Sequence, residues 1–113
     1  MDVGAYLKRI GYSGSTAPTV QTLRGLHLAH LLTVPFENLD IPLLHRPLVL
    51  EADALFEKLV VGRRGGICYE LNGLFAQLLR SLGFEVDLLS AAVFRLGGTW
   101  GAPFDHVALR VQL

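Results

Sequence analysis

The first part of the chain carries apolar residues at helical spacing. The clearest stretch surrounds the only cysteine, Cys68, where apolar side chains recur at Ile67, Leu71, Leu74, Phe75, Leu78, Leu79 and Leu82. This spacing is typical of the buried face of an amphipathic helix. Gly83 follows at a position where glycine commonly ends a helix. The pattern therefore predicts a helix that begins near Cys68 and ends near Gly83.

Three shorter segments with the same period precede this helix. Asp2 and Thr19 are residues that commonly cap helix N-termini, and Gly11 and Pro35 are residues that end helices. They predict one helix between Asp2 and Gly11 and another between Thr19 and Pro35. A third helix is predicted from Asp53 through Val61, where the apolar side chains share one face.

After Gly83 the periodicity changes from helical to extended. The segment from Phe84 to Leu96 is rich in Val, Leu and Phe and has no polar helical face, which indicates a strand. Residues 104–113 alternate apolar and polar side chains, which predicts a second strand. The glycine-rich residues 97–101 are predicted to form the loop between them, and a further short strand is predicted at Pro47–Leu50.

Helices that come first and strands that follow predict an α+β fold. We expect a helical bundle over residues 1–83, which carries the cysteine, and a second domain that begins with the strands of residues 84–113. A lone two-stranded hairpin is marginally stable, so these strands are expected to be the first of a larger sheet.

Composition excludes some classes of partner and points to a reducing environment. Ten basic and ten acidic residues balance, so no charged surface favours nucleic acid or an anionic membrane. A single cysteine forms no internal disulfide, and the N-terminus shows no secretory signal, so a cytoplasmic location is predicted. The apolar fraction of 51% is high for a short domain. We therefore expect exposed apolar surface that pairs with another copy or with a further part of the protein.

Cys68 is the strongest candidate for a catalytic nucleophile. Its predicted place is the first turn of a helix, where free N–H groups and the helix dipole favour an anion such as a thiolate. Gly65 and Gly66 precede it, and we interpret them as removing side-chain bulk where a substrate would approach. An ordinary buried cysteine is the alternative. The double glycine and the first-turn position together favour the nucleophile.

A cysteine nucleophile needs a base, and His106 is the best placed of the four histidines. It is predicted to lie on a strand, which holds a side chain more firmly than a loop does. A helix-borne cysteine followed by a strand-borne histidine predicts a cysteine-proteinase-like active-site arrangement. His27 and His30 could instead bind a metal with Cys68. Histidines three apart on a leucine-rich helix usually pack or cap, so no metal site is predicted.

No residue is convincing as the group that would orient His106. Asp105 is its neighbour in sequence, but successive strand side chains point to opposite faces. Asn72 lies one turn beyond Cys68 on the same helical face, so we expect it to line the site.

Two segments of the chain resemble the arylamine N-acetyltransferases. Residues 64–72, with the sequence Arg-Gly-Gly-Ile-Cys-Tyr-Glu-Leu-Asn, are similar to the RGGxCxELN signature of that family. Residues 34–39, with the sequence Val-Pro-Phe-Glu-Asn-Leu, are similar to its VPFENL segment.

The resemblance implies transfer of acetyl from acetyl-CoA to an arylamine, an arylhydroxylamine or a hydrazine, by a ping-pong mechanism. Cys68 matches the cysteine that is acetylated, and His106 matches the triad histidine. Phe36 and Tyr69 match positions near the acceptor pocket. The resemblance also gives structural roles to Glu37, Arg64, Gly65, Gly66 and Asn72, with Glu37 and Arg64 as a buried ion pair that braces the cysteine loop.

The resemblance further implies a helical first domain, a β-barrel second domain and an α/β third domain. This sequence is expected to cover the first domain and the opening strands of the barrel. The family's triad aspartate is expected in a strand after Leu113, so the triad within these residues is incomplete and little activity is expected from them alone.

Two other functions remain open at the level of sequence. One is a papain-like cysteine hydrolase, against which the segment similar to VPFENL counts. The other is a catalytically inactive helical module that binds a partner through its exposed apolar surface.

Overall fold

Helices come first along the chain and strands follow, as the α+β prediction requires. The computed structural model describes residues 1–113. The helices are α1 (Val3–Ile10), α2 (Val20–Thr33), α3 (Ala52–Phe56), which continues into a π-helical turn at Glu57–Val61, and α4 (Cys68–Ser81). The strands are β1 (Glu85–Ala91), β2 (Phe94–Arg95), β3 (Thr99–Trp100) and β4 (His106–Gln112).

The first two helices begin at the residues predicted to cap them. The Ala5 N–H donates to Asp2 Oδ1 at 2.9 Å, and the Thr22 N–H donates to Thr19 Oγ1 at 3.2 Å. Gly11 adopts a left-handed conformation with φ 67°, which ends α1 as glycine commonly does. These local predictions are confirmed because each depends on a side chain and the backbone within three residues of it.

The third helix departs from its predicted form. Its predicted range ends at Val61 as observed, but only Ala52–Phe56 is α-helical, and the next five residues form a π turn. The Gly62 N–H reaches back to Glu57 O at 2.7 Å, a bond that spans five residues rather than four. A π turn is rare and changes the direction of side chains on the helix.

The strand predictions are right in place but wrong in extent. β1 ends at Ala91, and residues predicted to continue it or to form a loop make the small hairpin of β2 and β3. Gly97 and Gly98, with φ values of 106° and 83°, form the tight turn of that hairpin. The strand predicted at Pro47–Leu50 is absent, since that segment is exposed and has no partner strand.

Strands β1 and β4 form an antiparallel pair. Glu85 lies opposite Gln112 and Ala91 lies opposite His106, so the pairing extends along the full length of both strands. His106 therefore stands at the end of the sheet where β1 finishes and β4 begins. Pairing with β1 along one edge fixes the backbone position of this residue.

Helix α4 lies at the centre of the hydrophobic core. Leu74, Leu78 and Leu79 are fully buried on it, as its apolar period predicts. Phe84 and Val86 belong to the same cluster of buried side chains. The sheet therefore packs directly on the helices, and the predicted domain boundary at residue 83 stays a prediction.

The buried side chain of Arg9 connects three helical elements. Its Nε donates to Leu59 O at 2.9 Å and its Nη1 donates to Thr33 O at 3.0 Å. Its Nη2 is 3.3 Å from Arg63 O in the loop before α4. A guanidinium group suits this place because it offers several donors in a fixed plane to carbonyl groups that helix ends leave unpaired.

A large apolar surface is exposed, as the composition predicts. Leu28, Leu31 and Leu32 of α2 are 59–77% exposed, and further apolar side chains are exposed in residues 41–50 and 93–104. Some exposed apolar side chains are normal, but clusters of this kind mark surfaces that commonly contact other molecules. No helix has the length and hydropathy needed to cross a bilayer.

The buried histidine His30 is expected to make stability depend on pH. Burial, followed by the nearby charges of His27 and Arg9, lowers the pKa of His30 to about 4 from an ordinary value of 6.5. Between these pH values the unfolded chain binds the proton and the folded chain does not, so folding weakens as the pH falls. The free energy of unfolding should decrease by about 3 kcal/mol from pH 7 to below pH 4 through this group.

Urea denaturation at a series of pH values measures this dependence. His30→Phe keeps a ring against Phe75, whose centroid lies 4.8 Å from that of His30, and removes the titration. Its curve should be flatter than that of the wild type by the same amount. Parallel curves for the two proteins would contradict the assignment.

Candidate functional site

Cys68 is the first residue of α4 and is half-buried. The Ile67 N–H, just before it, donates to Glu70 Oε1 at 3.1 Å, which is one half of the capping arrangement found at helix N-termini. The cysteine therefore lies in the first turn, as predicted. Backbone N–H groups are free there, so the position favours a negatively charged sulfur.

The segment similar to VPFENL lies directly beside the cysteine loop. The Glu37 N–H donates to Gly66 O at 3.0 Å, and the Gly66 N–H donates to Pro35 O at 3.3 Å. These bonds form a short parallel bridge in which Phe36 lies opposite Gly66. Phe36 is 69% exposed, and the Gly66 opposite it lies two residues before Cys68 in the chain. Two motifs about thirty residues apart in sequence are thus joined through their backbones.

The double glycine is required by this close approach. A Cβ atom on Gly65 would lie 1.8 Å from Pro35 O, and one on Gly66 would lie 2.9 Å from Glu70 Cβ. The sequence suggested that the glycines make room for a substrate. In the structure the space is occupied by the chain's own Pro35 carbonyl and Glu70 side chain, which supports their predicted structural role.

Two side chains of α4 bind the chain on either side of His106. Asn72 Nδ2 donates to Val107 O at 2.7 Å, and Tyr69 Oη donates to Phe104 O at 2.5 Å. Asn72 is one turn beyond Cys68 on the same helical face. The half-buried His106 is therefore held at the same end of α4 as Cys68. The catalytic roles of these two residues stay predictions.

Asp105, the neighbour of His106 in sequence, and Asp87 of β1 have arginine partners. Asp105 Oδ2 is 3.7 Å from Arg95 Nη2, and Asp87 Oδ2 is 2.7 Å from Arg110 Nη2. The second pair joins residues directly opposite each other in β1 and β4. Asp105 thus contacts Arg95, and Asp87 lies four residues along β1 from Ala91, the residue opposite His106.

The two histidines considered as metal ligands pack against an aromatic ring. The ring centroids of His27 and His30 lie 6.2 Å and 4.8 Å from that of Phe75. His30 is buried, and its Nε2 has no hydrogen-bond partner. The structure contains no group of three potential ligands that could hold a metal ion.

Five charged side chains form a connected cluster behind the cysteine loop. Arg64 Nη2 lies 3.0 Å from both carboxylate oxygens of Glu37, and its Nη1 lies 2.6 Å from Asp40 Oδ1. Lys58 Nζ lies 2.5 Å from Asp40 Oδ2 and 2.6 Å from Glu70 Oε2. The side chains are 3–27% exposed. We call this group the charged cluster.

The pairing in the charged cluster stabilises the ionised forms. Hydrogen bonds from Lys58, and then from Arg64, lower the pKa of Asp40. Burial by itself would lower the pKa of Lys58, but hydrogen bonds to Asp40 and Glu70 outweigh burial and raise it. Hydrogen bonds to Asp40 and Glu37 likewise raise the pKa of Arg64. These three groups therefore stay charged around neutral pH.

Sequence reasoning found only part of the charged cluster. The resemblance implied the contact between Glu37 and Arg64, which the structure contains, but it gave no role to Asp40 or Lys58. Glu70 had a usable signal, because an acidic residue at the third helical position often caps a helix. Lys58 had none, since no local pattern marked the π turn in which it lies.

Two open clefts adjoin these elements. One of about 300 Å³ lies between α3, α4 and β1 and includes Tyr69 and Phe104 in a mainly apolar lining. The other, of about 330 Å³, is lined in part by His27, Asn72 and His106. Both have volumes at the lower end of those that bind small organic ligands.

The chain is similar in sequence to arylamine N-acetyltransferases of bacteria. A family model described as N-acetyltransferase matches residues 19–113. The arylamine N-acetyltransferase of Mycolicibacterium smegmatis is 54% identical over 94 residues, which cover 82% of this chain and 34% of that protein. The one from Escherichia coli K12 is 46% identical over 108 residues, which cover 96% of this chain and 38% of that protein.

Solved structures show the same similarity in three dimensions. The arylamine N-acetyltransferase of Mycobacterium marinum matches with a TM-score of 0.89 and 44% identity, covering 97% of this chain and 41% of that one. The M. marinum protein in complex with CoA matches with a TM-score of 0.85 and 43% identity, over 98% of this chain and 41% of that one. This chain thus spans less than half the length of the proteins it matches.

The close backbone approach at Gly65 predicts a severe effect of a single methyl group. Gly65→Ala should lower the free energy of unfolding by about 3 kcal/mol, because the new Cβ forces Pro35 away and breaks the bridge at Gly66. Chemical denaturation measures the loss, and iodoacetamide labelling of Cys68 reports the accompanying change in its loop.

Gly73→Ala is the matched control on the same helix. Its Cβ would meet only Leu55 Cδ1 at 3.7 Å, an ordinary contact. Alanine is also the better helix former, so this variant should be as stable as the wild type or more so, by about 0.5–1 kcal/mol. Equal effects of the two substitutions would contradict the account of Gly65.

Proposed function

Because this chain belongs to the arylamine N-acetyltransferase family, we propose that it carries the nucleophile and base for transfer of acetyl from acetyl-CoA to an arylamine, arylhydroxylamine or hydrazine. The reaction is ping-pong and passes through an acetyl-cysteine at Cys68. The chain covers 34% of the length of the M. smegmatis enzyme and 38% of the length of the E. coli enzyme. The activity is therefore proposed for a complete enzyme of that length.

The observation that carries the proposal is the joining of three segments at the N-terminus of α4. The Pro35–Glu37 segment binds Gly66, and Asn72 binds β4 beside His106. Acyl transfer through a cysteine needs a nucleophilic thiol and a base, and here the thiol lies in a helical first turn and the histidine on an adjoining strand. The exposed ring of Phe36 lies beside the loop that leads to the thiol. The proposed arrangement resembles that of cysteine proteinases.

In the proposed first half-reaction, His106 takes the proton of Cys68 and the sulfur attacks the carbonyl carbon of acetyl-CoA. The thioester bond to CoA breaks, and CoA leaves as the free thiol after His106 returns the proton. In the second half-reaction, the amine nitrogen attacks the acetyl-cysteine, His106 accepts a proton from the nitrogen, and the Cys68 sulfur leaves. The proposed chemistry requires no metal.

Phe36 and Tyr69 are proposed to contact the acceptor. Phe36 presents an exposed ring beside Gly66, and Tyr69 lines the mainly apolar cleft of about 300 Å³. Aromatic side chains of this kind suit a planar aromatic amine, because stacked or edge-to-face rings attract each other. The M. marinum relative in complex with CoA supports acetyl-CoA as the donor.

We propose the following domains, location and partners for the complete enzyme. Residues 1–83 form a helical domain and residues 84–113 the first strands of a β-barrel domain. The enzyme acts in the cytoplasm, a reducing compartment that suits a free catalytic thiol. It takes small-molecule substrates rather than nucleic acid or membrane, and the exposed apolar surface pairs with a second copy or with a further part of the protein.

Intact-mass analysis after incubation with acetyl-CoA tests the first half-reaction. We expect the addition of one acetyl group in the wild type and none in Cys68→Ser. His106→Asn should slow the acetylation by about 100-fold or more, because the general base is lost. Adding an arylamine such as aniline should remove the acetyl group and produce the acetylated amine.

Other outcomes would favour the competing functions. Peptide hydrolysis without any need for acetyl-CoA would indicate a papain-like hydrolase. A folded protein that self-associates and never acquires acetyl on Cys68, alone or when joined to the remaining length of its relatives, would indicate a binding module.

The contact between Arg64 and Glu37 is proposed to brace the cysteine loop. Arg64→Ala should lower the free energy of unfolding by about 2–3 kcal/mol, somewhat less than the usual cost of breaking a buried pair, because Lys58 still neutralises Asp40. Thermal unfolding and iodoacetamide labelling of Cys68 check the two effects. Unchanged stability together with unchanged labelling would contradict the bracing role.

A further inference from the structure

Lys58 reaches the junction between the cysteine loop and α4 through both its backbone and its side chain. Its carbonyl accepts the Arg64 N–H at 3.1 Å, and its ammonium group lies 2.6 Å from Glu70 Oε2. Lys58 makes both contacts from within the π turn at Glu57–Val61. π turns occur often at functional sites, because they redirect a side chain that an α-helix would point elsewhere.

Glu70 transmits this contact to the first turn of α4. Its side chain is only 3% exposed. One carboxylate oxygen accepts the Ile67 N–H at 3.1 Å while the other accepts from Lys58. Glu70 is two residues after Cys68 on α4, and its carboxylate binds the backbone N–H of Ile67, the residue that immediately precedes Cys68. The Lys58 ammonium is the only cation that contacts this carboxylate.

We infer that Lys58 is a positioning residue for Cys68 and favours its thiolate by neutralising Glu70. The inference rests on the proposed function only in taking Cys68 as the nucleophile. The charged cluster contains three carboxylates and two cations, so it carries one net negative charge with Lys58 and two without it. An uncompensated carboxylate in the same helical turn disfavours a second negative charge on sulfur.

The rate of alkylation by iodoacetamide as a function of pH tests the inference directly. Cys68 is the only cysteine, so the labelled chain reports this thiol alone. Lys58→Met should lower the rate at pH 7 by about threefold to tenfold and move the profile to higher pH. Lys8, the only other lysine, is exposed on α1, so Lys8→Met is the matched control and should leave the profile unchanged.

Charge-matched variants separate an electrostatic role from a purely structural one. Glu70→Gln keeps an oxygen that can accept the Ile67 N–H and removes the charge, so it should move the profile to lower pH. Lys58→Met combined with Glu70→Gln should return the profile towards that of the wild type, and Lys58→Arg should preserve it. Thermal unfolding of each variant measures stability separately.

The inference is overturned if Lys58→Met leaves the profile unchanged, or if the double variant is simply slower than either single one. If Lys58→Met does not fold, an unchanged profile in Glu70→Gln overturns the inference by itself. Alkylation needs no acetyl-CoA, so these results are independent of whether acetyl transfer occurs. A protein that alkylates as expected but is never acetylated would contradict the proposed function alone.

Discussion

The two backbone hydrogen bonds between Gly66 and the Pro35–Glu37 segment are the constraint on which the candidate site depends. They bring a segment from the end of α2 into contact with the loop that leads to Cys68. Their geometry leaves no space for a side chain at Gly65. The bridge also carries Glu37 to the guanidinium group of Arg64, so the backbone pairing and the ion pairing support each other.

Charged groups this close to a hydrophobic core are costly unless they are paired, and the charged cluster meets that condition. Asp40 has contacts with both Lys58 and Arg64, and Glu70 is satisfied by Lys58 and a backbone N–H. Replacing buried ion pairs by well-packed apolar residues of equal volume is often neutral or stabilising. The cluster instead fixes the geometry around the start of α4, because each side chain restricts the position of the one it contacts.

The other side of the site is fixed by helix α4 itself. Its first two turns supply Tyr69 and Asn72, which bind the chain before and after His106, and its later turns supply the fully buried leucines of the core. One helix therefore holds both the cysteine and the strand that carries the histidine. Closely packed protein interiors are hardly compressible and transmit strain. A change in the packing of α4 is therefore expected to shift the candidate site.

Local physical rules account for the parts of the fold that the sequence predicted correctly. The caps at Asp2 and Thr19, the turn at Gly11 and the buried face of α4 each depend on neighbours a few residues away. The predictions failed at the π turn and at the end of β1. There the conformation depends on contacts with distant residues, such as the pairing of β1 with β4. The same limit applies to the charged cluster, of which only the Glu37 and Arg64 contact was expected.

The sequence by itself determined the order of helices and strands, the place of Cys68 in a helical first turn and the two motifs that resemble the family. These features follow from periodicity, capping and residue identity, which are local. Only the tertiary structure decided that Gly65 and Gly66 make room for Pro35 and Glu70, that Asn72 holds the strand of His106, and that Lys58 reaches Glu70. These contacts join residues that only the fold brings together, and Lys58 lies in a π turn that no local pattern marks.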